Sequence, residues 1–119
     1  MGYSQEDERM IGEQFDKLMR SCAKICKNEY DRDLIKRAFF LAKEAHEGGR
    51  RRSGEPYIVH PLAVARIVVD EIGLGVKSVI AALLHDVVED TDYTVEDIES
   101  RFGPKIALMV DGLTKMSGV

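Results

Sequence analysis

In the stretch Val79 to Asp90, VIAALLHDVVED, an apolar run gives way to a cluster of polar side chains. Read as a helix, His85, Asp86, Glu89 and Asp90 fall at i, i+1, i+4 and i+5, so two pairs stack one turn apart on a shared face while Val87 and Val88 turn to the core. Imidazole and carboxylate at the end of a buried helix are costly to desolvate unless a metal ion or a paired charge satisfies them. His60 lies 25 positions before His85. With one helix and one turn between them, antiparallel packing can bring the two imidazoles together. Asp86 then completes two nitrogens and one oxygen, a set suited to Mn, Fe or Zn rather than to Ca, which prefers oxygen alone.

A second concentration of chemistry lies in His46 to Tyr57, HEGGRRRSGEPY. Three glycines, a serine and a proline within it cannot continue a helix, so it reads as a loop. Arg50, Arg51 and Arg52 on a glycine-flanked backbone could close over a phosphate, because guanidinium forks match phosphate oxygens in pairs; a solvated basic turn is the plain alternative.

The elements that must position these residues are helical. Met10, Ile11, Phe15, Leu18, Met19, Cys22 and Ile25 form one apolar stripe, and residues 1 to 8 before it read as frayed or extraneous to the domain. Lys27 to Tyr30 breaks the pattern. Asp31 then reads as the N-cap of a second helix carrying Leu34, Ile35, Ala38, Phe39, Ala42 and Ala45, paired with the first as a hairpin. His60 as N-cap with Pro61 at the first position opens a third helix, Leu62 to Ile72, which Gly73 and Gly75 end. The central helix runs from about Val76. Thr94 with Asp97 resembles a capping box for a short helix to Phe102, and Ile106, Ala107, Val110 and Leu113 give a last amphipathic segment after Gly103 and Pro104. No alternating strand pattern or internal repeat appears, so the expected fold class is all-α.

Composition bounds the function. At 119 residues, 45% hydrophobic and 32% charged, the chain suits one modest domain. No run is long enough to span a membrane and the N-terminus lacks the apolar core of a signal peptide, which points to a cytoplasmic protein. Cys22 and Cys26 read as reduced thiols. The net charge of −4 argues against general affinity for nucleic acid or anionic membrane, so an anion must be caught locally.

The words around these residues are more specific than their spacing. His60 with His85 and Asp86 resembles the metal signature of the HD phosphohydrolases. The stretches RRSGEPYIVHP, ALLHDVVEDTD, FGPKI and VDGLTK closely resemble the hydrolase domain of the Rel/SpoT enzymes of the bacterial stringent response, over roughly Ala45 to Val119. The resemblance implies an HD helical bundle that removes the 3′-pyrophosphate from guanosine tetra- or pentaphosphate (ppGpp or pppGpp) with one Mn²⁺ ion. It assigns His60, His85 and Asp86 as metal ligands, and Glu89 and Asp90 as the acidic pair that activates or positions water. Arg51 faces the pyrophosphate, with Arg52, Ser53 and Tyr57 completing the substrate-facing set.

The chain also departs from that pattern. Arg52 stands where the family usually has lysine and Gly49 where it often has glutamine. The further aspartate that supplies the family's last protein ligand lies beyond the VDGLTK motif and has no counterpart before Val119. The expectation is therefore the N-terminal part, residues 1–119, of a hydrolase domain whose last helices are missing, and such a piece should expose apolar surface and self-associate. Action on another nucleotide and a non-catalytic regulatory module are the alternatives.

Overall fold

The computed structural model describes residues 2–117. Six α-helices follow in order: α1 (Gln5–Cys22), α2 (Glu29–Ala45), α3 (Val59–Ile67), α4 (Val76–Asp90), α5 (Val95–Phe102) and α6 (Pro104–Ser117). No strand is present among the described residues, whose one isolated bridge joins Arg50 and Pro56. The fold is all-α, as the periodicity implied.

The central helix is α4. Val79 to Leu84 are all buried, as is Val87, and the helix packs on α2, α3 and α6. A helix apolar all round has to lie inside, and truncating a fully buried leucine such as Leu83 or Leu84 to alanine should cost ~2–5 kcal/mol. Helix α1 packs on α3 rather than lying along α2 as the expected hairpin would, and it meets α2 through side chains, with Phe15 stacked on Phe39 at 4.0 Å between centroids, while Tyr3 Oη donates to the Lys43 carbonyl at 2.6 Å.

Helix starts are where the sequence reading needs correction. Residues 5–8, expected to be frayed or extraneous, form the first turn of α1. The Ser4 hydroxyl accepts from Asp7 N and the Asp7 carboxylate accepts from Ser4 N, both at 3.0 Å, which pairs two amides a helix end leaves over. The N-cap of α2 is Asn28, not Asp31: the Asn28 side-chain oxygen accepts from Asp31 N at 2.9 Å, and Asp31 reaches back to accept from Lys27 N at 3.0 Å. Helix α3 starts at Val59, so His60 is not its cap, and Pro61 sits inside the first turn, where its missing N–H would have gone unpaired. Beyond Ile67 the chain widens into a π-type turn, Val68–Ile72, closed by Gly73 at φ +80°, a left-handed conformation that glycine adopts without strain. The Thr94 box opens α5 as expected.

Several large apolar side chains remain exposed on one side. Leu74, Leu108, Leu113 and Met116 are 40 to 76% exposed and border a groove of about 520 Å³ between the π-type turn, α4 and α6.

Candidate metal and phosphate site

The end of α4 and the loop between α2 and α3 meet at Tyr57. The loop is a small folded turn: Tyr57 N donates to the Gly49 carbonyl at 3.0 Å, Arg51 N to Glu55 O at 3.0 Å and Gly54 N to Arg51 O at 2.9 Å. Gly54 takes φ +101°, which lets the chain reverse there. The turn aims Tyr57 inward, where its hydroxyl donates to Asp86 Oδ2 at 2.7 Å.

Asp86 is buried, and its other oxygen, Oδ1, lies 2.9 Å from His85 Nε2. Burial pushes the Asp86 carboxyl up, but the bonds from His85 and Tyr57 outweigh it and hold it below its ordinary value. The bond to Asp86 raises the His85 imidazole against the effect of burial. His85 Nδ1 lies 2.9 Å from the Ala82 carbonyl, which can only accept, so Nδ1 carries a proton and Nε2 is the nitrogen left to face Asp86 or a metal ion. A separation of 2.9 Å is also close to that of two neighbouring ligands about 2.1 Å from one ion. The pair therefore fits a divalent cation, which would take the place of the shared proton.

The other expected site residues are distributed around this pair. His60 stands edge-on to Tyr57 with ring centroids 5.7 Å apart; burial and then Arg51 lower its pKa, against the pull of Asp86, which favours the neutral form a ligand needs. Among the described residues, no group of three or more His, Cys, Asp or Glu side chains is gathered as a set that could hold a metal ion. Glu89 and Asp90 are exposed on the last turn of α4. Asp90 lines a cleft of about 280 Å³ with His46, Arg50, Tyr57 and Thr91.

Arg51, Arg52 and Ser53 line a second shallow cleft, about 320 Å³, with Arg50, Tyr57 and His60. Tyr57 and Arg50 thus border both clefts. Three of the polar groups here are already partnered, the Tyr57 hydroxyl with Asp86 as described above. The Ser53 hydroxyl donates to Glu55, and Arg50, read from sequence as one of three phosphate-closing arginines, is bound to Asp7 through Nη1 at 2.9 Å and Nη2 at 2.5 Å.

One residue of the site was not singled out by sequence reasoning. His46, at the end of α2, is buried beside the Tyr57 ring at 4.8 Å, and its Nε2 has no hydrogen-bond partner. Burial lowers its pKa, while Asp86 and Asp90 pull the other way. The signal was present: Ala38, Ala42 and His46 continue one buried stripe at four-residue spacing.

Comparison with known proteins gives this arrangement a family. Residues 38–119 match the HD domain. The chain belongs to the HD domain family. The matched HD segment is similar to the guanosine-3′,5′-bis(diphosphate) 3′-pyrophosphohydrolase of Vibrio cholerae, 49% identical over 84 residues, covering 71% of this chain and 12% of that protein. It is similar to the bifunctional (p)ppGpp synthase/hydrolase SpoT of Escherichia coli, 45% identical over 102 residues, 83% of this chain and 14% of that protein. A probable GTP pyrophosphokinase of Mycobacterium leprae is 49% identical over 86 residues, 72% of this chain and 11% of that protein. The HD chain thus spans about an eighth of the length of the curated relatives it matches. Among the described residues no helix is long and apolar enough to cross a membrane.

Proposed function

We propose that this chain carries the hydrolase site of a Rel/SpoT-type enzyme and removes the 3′-pyrophosphate from guanosine 3′,5′-bis(diphosphate), leaving guanosine 5′-diphosphate and pyrophosphate. The observation that carries the reading is the pairing of Asp86 with both Tyr57 and His85 at the seam between α4 and the arginine loop. It is supported by relatives whose names specify that activity, at 45 and 49% identity over this segment.

In this reading His60, His85 and Asp86 hold a divalent ion, and Mn²⁺ suits two imidazoles with one carboxylate. Such an ion supplies Lewis acidity toward water and a phosphoryl oxygen. Tyr57 keeps the Asp86 carboxylate ionised and oriented. Glu89 or Asp90, exposed beside it, accepts a proton from the attacking water, and Arg51 and Arg52 neutralise the departing pyrophosphate. The similarity to a probable GTP pyrophosphokinase does not favour synthesis, because the shared piece is the HD segment and amounts to 11% of that protein.

The exposed apolar groove beside α6 further supports self-association of this chain, which light scattering reads directly: a particle larger than the 13.4 kDa chain is expected, and a compact monomer contradicts it. Substrate choice is tested by supplying Mn²⁺ and a panel of nucleotides with and without a 3′-pyrophosphate. Preferential release of pyrophosphate from the guanosine 3′-substituted members supports the reading, and equal or better hydrolysis of other nucleotides overturns it.

A further inference from the structure

The arginine loop is tethered to a residue 43 positions before it in sequence. Asp7 takes Arg50 in a two-point grip, Nη1 to Oδ1 at 2.9 Å and Nη2 to Oδ2 at 2.5 Å, and Arg50 Nη1 also donates to the Gly54 carbonyl at 3.2 Å. One guanidinium therefore joins the first turn of α1 to the reversal of the loop. The Asp7 end is rigid: its side chain is 10% exposed, its carboxylate also accepts from Ser4 N, and Tyr3, the residue before Ser4, is anchored on the Lys43 carbonyl. Glu8 adds an ion pair to Lys43 at 2.6 Å, so the turn carrying Asp7 is held on α2 from two sides.

At the other end, the loop has little packing of its own. Arg51, Arg52, Ser53 and Gly54 are exposed, and within the loop the reversal rests on two backbone bonds, Arg51 N to Glu55 O and Gly54 N to Arg51 O, and on the Ser53 hydroxyl's bond to Glu55, with Tyr57 N to the Gly49 carbonyl at its base. A turn with so few buried contacts opens readily unless something outside it fixes its ends. A planar fork on a carboxylate fixes direction as well as distance, which a lysine or a single hydrogen bond would not.

We propose that Asp7 is a positioning residue for the phosphate-facing loop: through Arg50 it holds the reversal that presents Arg51 and Arg52, making the first turn of α1 part of the site. Asp7 lies outside residues 38–119, the span that matches the HD domain. The inference about loop geometry stands on these contacts, and its consequence for phosphate binding rests on the proposed function.

The test compares Asp7→Asn and Arg50→Gln with Ser4→Ala in the whole chain. Ser4→Ala removes the cap of α1 but leaves the Asp7 grip, so it controls for lost helix stability. Two readouts are taken: amide exchange at Arg51 and Gly54, and the affinity for inorganic pyrophosphate by calorimetry. Asp7→Asn and Arg50→Gln should each speed exchange at those amides about tenfold, with the double variant no worse than either alone, while Ser4→Ala leaves it unchanged. Pyrophosphate affinity should fall about fivefold or more in the same two variants and be partly restored by Asp7→Glu. Exchange in Asp7→Asn that matches Ser4→Ala overturns the inference. If the unaltered chain binds no pyrophosphate but exchange responds as stated, the tether stands and the phosphate reading fails.

Discussion

Tyr57 and Asp86 are joined by a 2.7 Å hydrogen bond that closes the arginine loop onto α4. It is made by a buried carboxylate whose second oxygen pairs with His85 Nε2. Removing the donor leaves one buried carboxylate oxygen unpaired, and hydrogen bonds to charged groups contribute more than neutral ones. Tyr57→Phe should destabilise the chain by ~1.5–3 kcal/mol in urea unfolding and also weaken metal binding, because Asp86 loses the group that orients it. Unchanged stability would mean that water replaces the hydroxyl without loss.

The His85 and Asp86 pair sets a pH dependence whose sign differs with and without metal. The bond to Asp86 raises His85 above its ordinary 6.5, so that stabilisation is complete below about pH 6.5 and is lost as pH rises through the raised value. Asp86 is held below its ordinary 3.8 despite burial, so its share is present above that pH and is lost as the pH falls further. With chelator present, thermal stability should therefore decline from mildly acidic toward alkaline pH, and Asp86→Asn should flatten the decline. Metal binding runs the other way. His85 must shed a proton to become a ligand, so Mn²⁺ affinity should climb by up to about tenfold per pH unit until the raised pKa is passed.

His46 gives a prediction of opposite sign to most core substitutions. Its buried Nε2 has no partner, and such a group carries its desolvation cost uncompensated. Phenylalanine would keep the aromatic contact with Tyr57, centroids 4.8 Å apart, while removing the nitrogen. His46→Phe should raise stability by ~1 kcal/mol, read as a higher urea midpoint at constant slope. A lower midpoint would show that Nε2 serves a partner such as water in the cleft it shares with Asp90.

What could be read from the sequence followed from periodicity. The face of α4, the capping box at Thr94 and the loop from His46 to Tyr57 are all local patterns, and each holds in the structure. The errors also have local causes. Pro61 tolerates any place in a first turn, so it could not fix whether His60 was the cap or already helical, and Asn28 and Asp31 are both good caps three residues apart. The tether of Arg50 to Asp7 was beyond such reading. Three consecutive arginines look alike in sequence, and only the approach of α1 to the loop singles one out.

The central claim is metal-dependent hydrolysis at His85 and Asp86, and it is tested most directly by pyrophosphate release from guanosine tetraphosphate with Mn²⁺. This chain, Asp86→Asn and Glu89→Ala are to be compared, with bound metal measured in each. The account predicts pyrophosphate release by this chain, abolished by Asp86→Asn together with metal binding, and slowed about 10²-fold or more by Glu89→Ala with the metal retained. Silence from every folded chain, or full activity in Asp86→Asn, would contradict it.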